Sequence, residues 1–332
     1  MLIHEIVGLR DFRYLERYEI RNPPKGLISS TAYVGMEFEY EGTKHHWSEI
    51  LAQPGFRGLQ KWYHTHEDGS LRGSDAVEFV FAKPLTAPHA FDAMQAMMEV
   101  AQTKKFQVTK RTGFHVHLNV GNLEVAELWN LIQLYCLYEP AVYTAIGDSR
   151  SGSIFCIPWF KDLHLATSVA QILQGNSSVQ LCRNFGKYSG LNLRAVSEKG
   201  SIEFRHMRNS FDEERMAHWL NFILALHKKA TSPDFAGWYE ELLLQKNFKQ
   251  GLLDLYEGEK VPPWQALIYP ELSSEINQLT LDNAFELQHL ATRKVKKAKK
   301  VEPVLTDSNV WRRANFGGGD WLMDDVFTER GR

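Results

Sequence analysis

Large apolar residues alternate with polar ones in several short stretches, and each predicts a strand that buries one face. Residues 31–41 (TAYVGMEFEYE) carry Met36, Phe38 and Tyr40 on one side. Residues 77–83 (VEFVFAK) predict a second strand, stopped by Pro84. Residues 113–121 (GFHVHLNVG) predict a third, bounded by glycines. Two more fall at 189–195 (SGLNLRA) and 201–207 (SIEFRHM), and the turn-like SEKG between them predicts a hairpin. Helical spacing governs 88–103, opened by Pro88 in a first-turn position, and about 123–146, 163–174, 211–231, 234–246, 248–256 and 274–292. Residues 148–162 read as a loop.

Strands and helices thus alternate irregularly up to about residue 210, and helices dominate afterwards. This order predicts an α+β fold on a mainly antiparallel sheet, with packed helices and a helical C-terminal region. No GxGxxG follows a predicted strand and GxxxxGK[ST] does not occur, which removes the dinucleotide-fold and P-loop readings. The expected organisation is an N-terminal segment 1–30, a main domain 31–232, a helical extension 233–292 and a basic tail 293–332. Residues 293–300 (RKVKKAKK) hold six basic side chains in eight positions, which fits a solvated helix end running into a mobile tail, or a contact arm for an acidic partner or a neighbouring subunit.

Composition narrows the picture. In 332 residues, 44% are hydrophobic, 12% aromatic and 23% charged, enough apolar mass for a substantial core. The net charge of −2 supplies no global basic field for nucleic acid or a membrane surface. No apolar run approaches the length of a membrane span. Three widely spaced cysteines (Cys136, Cys156, Cys182) make neither a disulfide framework nor a zinc knuckle, and the opening MLIHEIVGLRDFRY lacks the apolar core of a secretion signal. A reducing, cytoplasmic setting is the expectation.

The chemistry lies in the polar halves of the strands. Glu37 and Glu39, His115 and His117, and Glu203 and Arg205 are each spaced by two, so each pair shares one strand face. Glu78 adds a carboxylate among apolar neighbours. Alone, each pair fits an ordinary half-exposed strand. Yet glutamate is a poor strand former and recurs in the middle of three strands. Carboxylates gathered on one face repel one another unless cations neutralise them, and oxygen ligands with imidazole suit Mg²⁺ or Mn²⁺. The joint expectation is a polynuclear metal site on a sheet face.

The order of these motifs resembles the putative amidoligase family, of the carboxylate–amine ligase group with glutamine synthetase and glutamate–cysteine ligase. It runs GxExE (Gly35, Glu37, Glu39), DGS with a later strand glutamate (Asp68, Gly69, Ser70, Glu78), GxHVH (Gly113, His115, His117), Tyr188 with Leu191 and Asn192, and IEFRH from Ile202 to His206. The resemblance covers about residues 31–230. It implies a curved sheet of the glutamine synthetase and glutamate–cysteine ligase type, binding ATP and two or three Mg²⁺ or Mn²⁺ ions on its concave face. It further implies Glu37, Glu39, Glu78 and Glu203 as metal ligands, with His117 close to metal and phosphate and His115 its alternative. Arg205 would contact the transferred phosphate, and Asp68 would serve a metal or the amine. Tyr188 and Asn192 would face substrate or nucleotide, with Lys187 and Arg183 near enough to aid binding of phosphate or carboxylate. Partners would be amine and carboxylate substrates, small or carried on a peptide or protein, in bacterial or phage settings.

Joining a carboxylate to an amine in water is uphill, so activation by ATP through an acyl phosphate suits this set of groups. Two rivals use the same residues differently. A metal-dependent hydrolase would employ the HxH strand and carboxylates without ATP. An inactive ligase fold would serve as a binding or assembly protein. Trp47, Trp62 and Tyr63, with His45 and His46, lie in the connection 42–75, where loop packing and a substrate loop are both open.

Overall fold

The computed structural model describes residues 1–9, 26–43, 62–66, 71, 75–147, 150, 152–162, 165, 168–169, 172, 178–260 and 262–264. The expected helix 274–292, the tail 293–332, most of 163–174, and Asp68, His45, His46 and Trp47 lie outside them. A short helix α1 (Ile3–Val7) precedes strand β1 (Tyr33–Tyr40). Then follow β2 (Tyr63–His66), β3 (Val77–Phe81), β4 (Leu85–Thr86), helix α2 (Ala87–Thr103), β5 (Gly113–Asn119) and α3 (Val125–Ile146). Strand β6 (Leu191–Asn192), α4 (Arg194–Lys199), β7 (Ser201–Arg208), α5 (Glu213–Ala230), α6 (Phe235–Gln245) and α7 (Phe248–Asp254) complete the order. Among the described residues, no helix is long and apolar enough to cross a membrane.

The strands form one open, curved sheet in the order β2-β3-β1-β5-β7-β6, with β4 added against β1. The strand pairings are antiparallel. The mixed helix-and-sheet class with a mainly antiparallel sheet is therefore as the pattern predicts. Alternation sets the two faces. Val34, Met36, Phe38 and Tyr40 of β1, Phe114, Val116 and Leu118 of β5, and Ile202 and Phe204 of β7 are wholly buried in the apolar core. Helices α2, α3 and α5 supply that core from their own apolar stripes, including Met94, Met97, Leu131, Tyr135, Trp219 and Phe222. Asp212 starts α5 by accepting a hydrogen bond from the Arg215 backbone N–H at 3.0 Å. Burying one such side chain as Phe38 contributes roughly 2 kcal/mol.

One sequence expectation is corrected. SEKG does not close a tight hairpin. The expected strand 189–195 contracts to Leu191–Asn192, and Arg194–Lys199 coils into the helix α4 before β7 begins. The side chain of Asn192 accepts from the Arg194 backbone N–H at 3.0 Å, which turns the chain out of β6. Gly200 then ends the helix at a φ of 66°, a left-handed conformation that glycine adopts freely. The strands β6 and β7 still pair antiparallel, through a longer connection than four residues. Strands β2 and β4 were not anticipated, being four and two residues long.

Candidate active site

The face opposite the helices collects the charged residues in three rows across the sheet. His64, Val80, Glu37 and His115 make one row, through the pairs His64–Val80, Glu37–Val80 and Glu37–His115. Gly35, His117, Glu203 and Asn192 make the next. His66, Glu78 and Glu39 make the third. Facing residues of adjacent antiparallel strands project the same way, about 5 Å apart, so the register alone brings the charged side chains together.

They are not solvent-facing. Glu37 is 7% exposed, Glu39 3%, His115 2%, His117 8%, Glu203 5% and Arg205 8%, while Glu78 is half-buried at the rim. Charges so buried persist only when partnered. Glu37 is the hub. Its Oε1 lies 2.9 Å from Nε2 of His117 and 3.2 Å from Nζ of Lys199, and its Oε2 lies 3.2 Å from Nδ1 of His115. His115 also stands 3.7 Å from Glu39 through Nε2 and 3.6 Å from Glu203 through Nδ1. The other nitrogen of His117 meets Ser201 Oγ at 3.0 Å, which fixes the plane of its ring. Glu203 receives a hydrogen bond from Asn192 Nδ2 at 2.7 Å and pairs closely with Arg205 NH1. Glu39 accepts from the backbone N–H of Gly113.

The electrostatics favour charge in spite of burial. Burial alone would raise the Glu37 carboxyl, but His117 and His115 together with Lys199 hold it well below the usual carboxylate range. Burial likewise opposes ionisation of Glu203, and Arg205 with the two imidazoles more than offsets it, so its carboxyl is lowered too. Arg205 and Lys199 are both held charged by the carboxylates around them, against the opposing effect of their own burial. At neutral pH the face is thus an assembly of carboxylates with cations at its edges.

Behind Arg205 the sheet is irregular. Phe114 pairs with Met207 but Val116 with Phe204, so β7 carries one extra residue at Arg205–His206. Alternation already places Arg205 on the charged face with Glu203 and His206 in the core with Phe204, and the extra residue lets Met207, opposite Phe114, face the core as well. Arg150, itself buried, clamps this bulge by donating from Nε to the His206 carbonyl at 3.0 Å and from NH2 to the Arg205 carbonyl at 2.7 Å. His206 Nε2 lies 2.7 Å from Tyr135 OH, which donates to the buried Glu139 at 2.7 Å. Arg205 Nε donates to the Phe155 carbonyl at 3.3 Å, so the guanidinium is tied at two points.

Of the residues singled out in the sequence, Glu37, Glu39, Glu203, His117, Arg205 and Asn192 converge, with Glu78 at the rim. His115 and His117 both face the site, so one does not exclude the other. Tyr188 is exposed, its ring edge-on to Phe155 and beneath Lys187 Nζ, so these two lie beyond Arg205 rather than among the carboxylates. Arg183 is exposed at the end of a 3₁₀ turn. Trp62 and Tyr63 belong to the core, Tyr63 OH donating to the Ala93 carbonyl at 2.9 Å. Sequence reasoning passed over Ser201, Lys199 and Arg150. Ser201 was within reach, since it continues the period of two through Glu203 and Arg205. Lys199 and Arg150 were not, because each arrives from a segment whose position only the tertiary fold sets.

Among the described residues, two groups could hold a metal ion: Glu37 with His117 and Glu203, and Glu37 with Glu78 and His115. Within each, the ligand atoms lie within 4.8 Å of one another. Ligands on one small divalent cation stand roughly 3–4 Å apart, so modest rotamer shifts would close either group. Carboxylates suit hard cations such as Mg²⁺ or Mn²⁺ and imidazole suits transition metals such as Zn²⁺, so the mixed donors suit a divalent cation. Glu37 is common to both groups, and Glu39 belongs to neither.

An open antiparallel sheet with helices on one face and a buried carboxylate–imidazole–guanidinium array on the other defines an α+β protein with a charged, metal-competent sheet face. Comparison with known families agrees: the model of the family described as putative amidoligase enzyme matches residues 77–227. That segment runs from β3 into α5 and contains Glu78, His115, His117, Asn192, Glu203 and Arg205, while Glu37 and Glu39 precede it. The match supports an enzyme of the ligase kind. No curated protein matches the chain significantly.

Proposed function

We propose that this protein is an ATP- and Mg²⁺-dependent (or Mn²⁺-dependent) ligase that joins a carboxylate to an amine through an acyl phosphate. One observation carries the reading: Glu37 of β1 is shared by two carboxylate–imidazole groups, and the other members of those groups, with Arg205 fixed beside Glu203, lie within the segment that the amidoligase match covers. Divalent ions held by Glu37, His117 and Glu203, and by Glu37, Glu78 and His115, would neutralise phosphate charge.

The chain's own groups suit the two steps. In the first, an oxygen of the substrate carboxylate attacks the γ-phosphorus of ATP. The bond to the β–γ bridging oxygen breaks, and ADP leaves. Arg205, planar and permanently charged, supplies donors for the phosphoryl oxygens as charge develops on them. In the second, the amine attacks the acyl carbon, phosphate leaves with the electron pair of the carbon–oxygen bond, and the nitrogen gives up a proton. Asp68 is our candidate for that proton. Asn192 holds Glu203 in place through its 2.7 Å hydrogen bond, and we assign Lys187 and Tyr188 to the nucleotide side of Arg205. The three cysteines are buried, and burial pushes their thiols up, Cys182 to about 12, which suits a reducing compartment; we place the protein in the cytoplasm.

The test is isothermal titration with a non-hydrolysable ATP analogue, with and without Mg²⁺, on the wild type and on a Glu37→Ala/Glu203→Ala double variant. Metal-dependent binding in the wild type, lost in a folded double variant, is the expected result. ADP release should then appear when amines and carboxylates are supplied together. A carboxylate shared between two cation groups also suits two-metal hydrolysis. Tight Mn²⁺ or Zn²⁺ binding with no nucleotide binding would replace the ligase reading with that one.

A further inference from the structure

Lys199 ends α4, and the turn behind it is anchored. The Gly200 N–H bonds the Val196 carbonyl at 3.1 Å, and the Gly200 carbonyl accepts from Val120 N–H at 2.9 Å. Ser201, the next residue, holds His117 at 3.0 Å. From this fixed base the lysine side chain reaches over the charged face to Glu37 Oε1, at 3.2 Å, the same oxygen that His117 holds at 2.9 Å. Glu203 and Glu78 attract the ammonium as well. One ammonium therefore stands among Glu37, Glu203 and Glu78, the carboxylates of both metal-competent groups.

Lys199 differs from Arg205, a second cation of the face. Arg205 is buried and tied to Glu203 and to the Phe155 carbonyl. The Lys199 side chain is 55% exposed and approaches from the side on which any ligand must lie. A divalent ion bound to Glu37 would repel an ammonium from the same oxygen. The four-carbon stem lets that ammonium swing aside while its backbone stays at the rim.

We propose that Lys199 is a ligand-binding residue of this site: its ammonium neutralises Glu37 before metal binds, yields that oxygen to a divalent cation, and then pairs with a phosphoryl oxygen of the bound nucleotide. The first half stands on the geometry alone, and the phosphoryl half rests on the ligase reading. Lys199 thereby sets the order of binding, metal first and phosphate second.

The experiment compares wild type, Lys199→Met and Lys199→Arg, with near-ultraviolet circular dichroism to show that each is folded. Mn²⁺ affinity is read by electron paramagnetic resonance, and affinity for β,γ-imido-ATP by titration at saturating Mn²⁺. Removing a competing cation should tighten Mn²⁺ binding in Lys199→Met by about tenfold, and removing a phosphate partner should weaken the nucleotide by about tenfold, with Lys199→Arg restoring most of the latter. Unchanged or weaker Mn²⁺ binding in Lys199→Met would overturn the first half, and unchanged nucleotide affinity the second. A wild type that binds Mn²⁺ but no nucleotide would overturn the ligase reading and the phosphoryl half together, while the Mn²⁺ comparison still decides the first half.

Discussion

A Cβ placed on Gly113 would come within 2.5 Å of Nε2 of His115, so the imidazole fills the space left by the glycine's missing side chain. The ring has little room to retreat, being buried against Glu37, Glu39 and Glu203. Gly35 stands beside His117 across the β1–β5 pair, but there an added Cβ would meet the His117 Cβ at 3.4 Å, an ordinary contact. The two glycines should therefore respond differently to the same substitution. Gly113→Ala is expected to cost about 1–3 kcal/mol in urea unfolding and to disturb Mn²⁺ binding. Gly35→Ala should stay within about 0.5 kcal/mol of wild type and keep its metal affinity. Equal effects at the two positions would refute the assignment of space.

Glu37 and Glu39 look equivalent in the sequence, two residues apart on one strand, yet the structure separates their roles. Glu37 belongs to both candidate metal groups, and Glu39 to neither. Glu39 instead accepts from Gly113 N–H and sits 3.7 Å from His115. Glu37→Gln should abolish saturable Mn²⁺ binding at both groups. Glu39→Gln, which perturbs the setting of His115 and no shared ligand, should weaken binding by about tenfold and leave the stoichiometry intact. Mn²⁺ titration decides between these patterns.

Much of this site was legible because a strand repeats every two residues and the register follows from the turns. The alternation in GMEFEYE, GFHVHLN and SIEFR places Phe38, Phe114 and Phe204 in the core and Glu37, His115 and Glu203 opposite without any tertiary information. The glycine of GxHVH likewise acquires a reason, since the His115 ring fills the space beside Gly113. What stayed hidden was set by distant segments. Alternation puts His206 on the core face with Phe204, but its partners there, Tyr135 and Trp219, come from helices distant in the chain. Arg150 comes from a segment read as loop. Four-residue β2 was too short for its alternation to stand out, although it carries His64 and His66 on the charged face.

Acid should weaken the fold through a histidine remote from the site. His227 lies near the C-terminal end of α5, and burial lowers it from 6.5 to about 4. Its neutral form is the folded one, so the unfolded chain binds the extra proton. The stabilisation is complete above about pH 6.5 and is lost as the pH falls from there toward about 4, worth about 3 kcal/mol over the whole window. His206, which burial also depresses, acts in the same direction. Urea midpoints between pH 7 and pH 5 should fall in the wild type and fall less in His227→Leu. A variant with an unchanged slope would show that His227 protonates freely in the folded protein.

The clamp of Arg150 on the bulge makes a last prediction. Its guanidinium donates to the carbonyls of His206 and Arg205, which the extra residue of β7 turns away from regular pairing with β5. A lysine has one ammonium where the guanidinium has a planar fork, so it cannot reproduce both contacts in one geometry. Arg150→Met and Arg150→Lys should each lower the unfolding free energy by about 2–3 kcal/mol, hydrogen bonds from a charged donor being worth about 1.5–3 kcal/mol. The more telling measurement is a double-mutant cycle with Arg205→Ala, read through affinity for the ATP analogue. Arg150 holds the backbone from which the Arg205 side chain springs, so once Arg205 is gone, losing Arg150 should cost little further affinity. Strictly additive losses would mean that Arg150 supports the core without directing Arg205 toward the ligand.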